Sequence, residues 1–234
     1  MKVYFSDLLP AIRPNDLLEV HVLTSKNFCK IPVFFIRHPQ ATETILYSHG
    51  NASDIGAMYV VYALISRALK INIVAYDYTG YGASKAFQKK PTEKQTYIDI
   101  ETVYTWILEQ KIVTDALKQL FVYGQSVGSG PSVFLAANHA VAGLILHSPI
   151  LSGLRVITPS RSLACFDIFP NIDRISNVSC TVFILHGEED MEVGLHHGKD
   201  LHQAGMMTEI VCSLYVCVVL YFQFAHIYTI HHQL

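Results

Sequence analysis

Leu120-Phe-Val-Tyr-Gly-Gln-Ser-Val-Gly-Ser-Gly-Pro-Ser-Val-Phe-Leu-Ala-Ala137 is the stretch that decides the fold. Leu120 to Tyr123 is a short apolar run and reads as a buried strand, while Ser132 to Ala137 reads as the body of a helix. Between them Gly124-Gln-Ser126-Val-Gly128 turns the chain sharply. A serine on a strained strand-to-helix turn is a nucleophile elbow when the residues two before and two after it are small. Gly124 and Gly128 meet that demand, because only a missing side chain lets strand and helix pass so closely. The turn lifts Ser126 Oγ clear of the sheet and aims the Val127 amide at the point where an oxyanion forms. A helix N-cap serine is the bland alternative, and the paired glycines weigh against it.

Outward from this turn the chain alternates strands and helices. Thr44-Ile-Leu-Tyr-Ser48, Ile71 to Tyr76, Val141 to Leu146 and Thr181 to Leu185 are strand-like. Ile55, Met58, Tyr62, Ile65 and Leu69 recur at helical spacing, and so do Tyr97, Ile100, Tyr104 and Ile107. Thr92, with Gln95 three residues on, forms a capping-box start for the second of these helices. Leu18 to Thr24 and Ile31 to Arg37 read as an antiparallel pair at a sheet edge, where Pro32 is tolerated. A short helix is expected around Leu195 to Gln203, and another strand from near Glu209. Strands alternating with helices predict an α/β fold, with a mostly parallel sheet covered by helices on both faces. Ligand sites in such sheets lie beyond the carboxyl ends of the strands. His49, Asp77, Ser126, Ser148 and Asp190 all fall just past a strand, so one rim gathers the polar groups.

Acyl transfer needs a nucleophile, a base, a group that orients the base, and oxyanion donors. Ser126 is the nucleophile candidate. His49-Gly-Asn-Ala52 ends an earlier strand, where this architecture places its second oxyanion amide. Asn51, in preference to Ala52, pairs with Val127. His49 precedes the serine and reads as a structural histidine, since the chain order of the triad is serine, acid, histidine. Asp190 follows a later strand in the right order, with Glu188 and Glu189 as rivals. Of the histidines after it, His196, His197 and His202 fall on a helix. His226 is the first beyond the next strand and is assigned as the base.

The bulk composition bounds the alternatives. A chain of 234 residues suits one α/β domain, and a net charge of -2 carries no basic footprint for nucleic acid. Five cysteines without a C-x-x-C pair suit a reducing compartment, so a cytoplasmic setting is expected. Asp7 and Pro10 interrupt any signal-peptide core. Histidines, acids and cysteines do not fall at ligand spacings, and no phosphate-binding glycine loop occurs, so neither metal nor cofactor is expected.

Together these residues resemble the α/β-hydrolase domain-containing protein 17 type of serine hydrolase and the wider Bem46-like group. The likeness runs from about Leu23 to Leu201. It is carried by Leu46-Tyr-Ser-His-Gly-Asn-Ala-Ser-Asp54, Tyr76-Asp-Tyr-Thr-Gly-Tyr-Gly-Ala-Ser84, Tyr123-Gly-Gln-Ser-Val-Gly128, Leu146-His-Ser-Pro149, Ser152-Gly-Leu-Arg-Val156, Cys165-Phe-Asp-Ile-Phe-Pro-Asn-Ile-Asp173 and Ile184-Leu-His-Gly-Glu-Glu-Asp190. The resemblance implies the α/β-hydrolase fold and a thioesterase that removes palmitate from protein cysteines, hence an acylated protein or lipid-like substrate and membrane association. It assigns Ser126 as nucleophile and Asp190 as the acid, and makes Tyr76 to Ser84 a structural loop. Ile150, Leu151, Val156 and Ile157 read either as an acyl pocket or as ordinary core.

The chain departs from that family in two places. No cysteine cluster precedes Cys29, and the Gly-Ala-Gly-His-Asn-Asp turn that carries the family's histidine is absent, its position falling near Val219. The likeness stops at about Gln203. Residues 1–205 therefore read as the hydrolase domain and 206–234 as a divergent apolar tail, of the kind a retained intron or shifted reading frame supplies. Ile210 to Ile230 is long enough as a helix, about 30 Å, to cross a bilayer, while its β-branched residues also suit a last strand.

Overall fold

The computed structural model describes residues 17–87, 89–157, 167–205 and 208–213. Eight strands make one sheet: β1 (Leu17–Thr24), β2 (Lys30–Arg37), β3 (Thr44–Ser48), β4 (Asn72–Tyr76), β5 (Leu120–Gln125), β6 (Gly143–His147), β7 (Thr181–Gly187) and β8 (Thr208–Ser213). Their order is β1-β2-β4-β3-β5-β6-β7-β8. The β1–β2 and β2–β4 pairs are antiparallel, and every other pair is parallel.

The apolar runs of the central strands are buried on both faces, as a parallel sheet requires. Tyr47, Tyr123, Ile145 and Leu185 belong to one core layer, together with Tyr59 and Tyr62 of helix α1 (Ile55–Leu69). Leu46, Val122, Leu144 and Ile184, each one residue earlier on its strand, belong to the opposite layer. There they join Ile100, Val103 and Ile107 of α2 (Glu93–Glu109), after which comes the short α3 (Ala116–Gln119). The same layer takes Val133 and Ala136 of α4 (Ser129–Asn138). Two short helices, α5 (Gly153–Ile157) and α6 (Asn171–Arg174), occupy the β6–β7 connection, and α7 (His196–Ala204) leads to β8. Thr92 caps α2 as its sequence foretells, its hydroxyl accepting from the Gln95 amide at 3.2 Å.

β1 and β2 form the antiparallel pair expected at the sheet edge, with β2, which carries Pro32, between β1 and β4. The ladder to β4 covers only Val33 to Ile36, and the Pro32 carbonyl accepts from the Asp77 amide just past the end of β4. The missing N–H of proline thus falls where the ladder has stopped. Among the described residues no helix is long and apolar enough to cross a membrane.

The strand order fixes the site. From β3 the chain moves outward to β4, then crosses back over β3 to β5. The carboxyl ends of β3 and β5 therefore flank the point where the winding reverses, and crevices form at such points.

Candidate functional site

Ser126 stands at that reversal. It follows β5 directly with φ of 52°, a left-handed conformation that a residue with a Cβ adopts only under constraint. The constraint is close packing on both sides. A Cβ on Gly124 would lie 2.7 Å from the Gly128 carbonyl oxygen and 2.8 Å from Ser129 Cα. A Cβ on Gly128 would lie 2.2 Å from the Ser48 carbonyl oxygen and 2.8 Å from that of His49. The two glycines thus clamp the turn against its own helix and against the end of β3.

A buried polar network fastens the turn from below. Ser129 Oγ donates to the Ser126 carbonyl (2.6 Å) and accepts from the Ile150 amide (3.2 Å) and from Asn171 Nδ2 (3.0 Å). A hydroxyl has one hydrogen and two lone pairs, so it is saturated. Asn171 Nδ2 also donates to the Ile150 carbonyl at 2.9 Å. The Ser126 backbone is thereby tied to the segment after β6 and to the start of α6.

The loop after β3 runs beside Ser126, since a Cβ on Gly50 would sit 3.8 Å from Ser126 Cβ. Two tyrosines from the loop after β4 hold it. Tyr78 Oη donates to the His49 carbonyl (2.6 Å), and Tyr81 Oη to Asn51 Oδ1. Asn51 and Val127, the two predicted oxyanion donors, line one cavity of about 440 Å³. Its remaining wall is mostly apolar: Tyr78, Tyr81, Pro91, Pro131, Ile168 and Phe169, with Thr92, Glu93 and Thr96 from the start of α2. That volume lies within the ~300–1,000 Å³ usual for small-molecule sites. Ile150 and Leu151, weighed above as pocket or core, are packed core residues at 4% and 5% exposure. Val156 is exposed, and the Ile157 side chain lies outside the described residues.

Asp190 sits beyond β7 as a half-buried, fully engaged carboxylate. Oδ2 accepts from Ser148 Oγ (2.7 Å), and Oδ1 accepts from the amides of Glu192 (3.0 Å) and Val193 (2.9 Å). Partial burial pushes its pKa up, but the Val193, Ser148 and Glu192 hydrogen bonds outweigh that and hold it below the usual carboxylate value. Glu188 and Glu189 are exposed, so geometry separates Asp190 from its rivals. Ser148, just after β6, takes a φ of 45° to present its hydroxyl.

His226 lies outside the described residues. Among the described residues no side chain hydrogen-bonds Ser126 Oγ, and the nearby imidazoles are committed to structure. His49 is fully buried, with Nδ1 donating to the Gly50 carbonyl (2.8 Å) and Nε2 3.5 Å from Asp77. His186 is fully buried and donates from Nε2 to the Val193 carbonyl (2.7 Å), leaving that nitrogen 4.0 Å from Asp190. His147 pairs with Tyr123 Oη (2.9 Å); burial, reinforced by His186, lowers its pKa to about 4, too low for a base at neutral pH. His197 Nδ1 accepts from the Leu151 amide (2.9 Å), and burial likewise takes its pKa to about 4. Among the described residues no group of three or more metal-ligand side chains gathers.

Sequence reading set His49, Asp77, Ser126, Ser148 and Asp190 just past the ends of strands, and in the structure each follows the carboxyl end of β3, β4, β5, β6 or β7. It missed Asn171, Ser129 and Tyr81, whose partners lie far off in the chain.

The strand order and the strained serine at the end of β5 define the α/β-hydrolase fold. Solved structures share that fold. An esterase of Pyrococcus furiosus superposes with a TM-score of 0.73 at 14% identity, covering 97% of this chain and 94% of its own. Est1E of Butyrivibrio proteoclasticus, solved with ferulic acid bound, gives 0.69 at 15% identity, covering 88% and 99%. No family model matches the chain. Human α/β-hydrolase domain-containing protein 17B is 42% identical over 193 residues, covering 82% of this chain and 65% of that protein. Protein 17C of Xenopus tropicalis is 40% identical over the same length, covering 82% and 61%. Over those residues the chain is similar to the α/β-hydrolase domain-containing proteins 17B and 17C, and it spans just under two thirds of these relatives' length.

Proposed function

We propose that the chain is a serine hydrolase that cleaves a fatty-acyl thioester or ester, with palmitoylated protein cysteine as its substrate. One observation carries this reading: Ser126 is held at a φ of 52° between two glycines, and the residues bearing both oxyanion amides line a single, largely apolar cavity beside it. Ser126 Oγ attacks the acyl carbonyl, and the Val127 and Asn51 amides take the oxyanion charge. Collapse of the adduct breaks the carbon–sulfur bond and leaves an acyl-serine. An imidazole oriented by Asp190 accepts the serine proton and returns it to the departing thiolate, then activates the water that frees the fatty acid. His226 is proposed as that imidazole. Its substrate places the enzyme at a membrane face, on the cytoplasmic side.

A second reading, a hydrolase fold without a base, has its own support: no histidine among the described residues pairs with Ser126. A fluorophosphonate probe separates the two. Labelling of the wild type and not of Ser126→Ala is expected for the enzyme, with loss of labelling in His226→Ala. A folded wild type that takes no label is the inactive form. Turnover of a palmitoyl-peptide against short-chain esters then decides between a thioesterase and a small-substrate esterase.

A further inference from the structure

The cavity wall opposite the oxyanion loop contains a second strained residue. Phe169 takes a φ of 52°, which for a bulky side chain is an outlier that persists only where its surroundings impose it. Four contacts impose it. Its amide donates to Glu93 Oε1 (2.9 Å), and its carbonyl accepts from the Asn171 amide (2.7 Å). Its ring meets Tyr97 edge-on, 5.9 Å between centroids, and Tyr97 in turn stacks on Phe134 at 4.2 Å. The fourth contact is the closest. The ring lies on Gly130, so that a Cβ there would fall 2.2 Å from Phe169 Cδ1.

Gly130 belongs to the first turn of α4, next to Pro131 of the cavity wall and four positions beyond the nucleophile. The neighbouring Ile168 also lines the cavity, and its Cγ1 would lie 2.5 Å from a Cβ on Gly153. Two glycines thus seat two consecutive apolar side chains as a fixed wall beside the nucleophile turn. A wall held by backbone strain and glycine seats does not yield to a ligand as a rotatable side chain would.

We propose that Phe169, seated on Gly130, is the specificity-determining residue of the acyl cavity: its ring sets the length of saturated chain accepted. This rests on the hydrolase reading above, so the test uses binding without turnover. Full-length Ser126→Ala protein is loaded with a fluorescent fatty acid, which is displaced by unlabelled saturated acids from eight to eighteen carbons. Adding Phe169→Ala is expected to move the best-bound acid to longer chains, with a gain of about fourfold in affinity for each further methylene buried. Adding Gly130→Ala, which drives the ring off its seat toward the cavity, is expected to move it to shorter chains. Phe169→Leu is a milder cut that keeps an apolar wall, and it is expected to fall between the parent and Phe169→Ala. An unchanged order of affinities in folded Phe169→Ala and Phe169→Leu proteins overturns the proposal. So does a parent that binds no fatty acid, while fluorophosphonate labelling of the wild type reports separately on the hydrolase reading.

Discussion

Ser129→Ala removes a single oxygen, and the structure allows its cost to be worked out. The Ile150 amide loses the hydroxyl that accepts it and is left buried and unpaired, at about 1–3 kcal/mol. Asn171 Nδ2 keeps the Ile150 carbonyl and loses one of two acceptors, about 1 kcal/mol. The Ser126 carbonyl keeps the backbone bond from the Ser129 amide, so its loss is small. The sum is about 2–4 kcal/mol, a large share of the ~5–15 kcal/mol that holds a typical domain together. With a urea m-value of about 2–3 kcal/mol/M, the unfolding midpoint falls by about 1 M. Trp106 is the only tryptophan and packs against the core, so its fluorescence follows the transition. Fluorophosphonate labelling slows as well, because the side-chain tether on the nucleophile's carbonyl is gone. A midpoint within about 0.3 M of the parent, with labelling unchanged, would refute the claim that this network holds the turn.

Gly128→Ala places a methyl carbon between two backbone carbonyls that cannot rotate away, at 2.2 Å and 2.8 Å. The expected result is about 1–3 kcal/mol of destabilisation and loss of labelling even in the fraction that folds, measured by labelling after removal of aggregates. Acidification should destabilise the chain before its carboxylates titrate. His147 and His197 have folded pKa values of about 4 against 6.5 unfolded, so between these limits the unfolded chain binds more protons and stability falls as pH drops. Each unit of separation is worth on the order of 1.4 kcal/mol. Urea midpoints at pH 7 and pH 5 should therefore differ, and His197→Asn, which keeps an acceptor for the Leu151 amide, should flatten the difference.

What could be read from sequence was local. Gly124, Ser126 and Gly128 betray the elbow because the same five residues supply both the strain and the space that relieves it. The strands were legible because burial on both faces leaves them continuously apolar, and Thr92 because a cap and its acceptor lie three residues apart. The edge pair was legible around Pro32, while the bond its carbonyl accepts from the Asp77 amide, far along the chain, was not. Asn171 and Ser129 stayed hidden likewise, since 42 residues separate them and neither type is unusual where it stands. The cavity is lined by Phe169 and Tyr81 and not by Ile150, because an apolar pair beside a polar rim reads alike as lining or as core until the sheet closes over it.

The contact of Gly128 with the carbonyl of Ser48 has an outcome for how such a chain can vary. It makes the Ser126 turn and the loop after β3 parts of one rigid joint, with no adjustable side chain between them. Mutations in the helices on either face of the sheet shift that joint as a body, without misaligning its two halves. Of the described residues between β6 and β7, Ile150 and Asn171 meet the turn through Ser129 Oγ, a side-chain link that can be exchanged while the backbone joint is inherited intact.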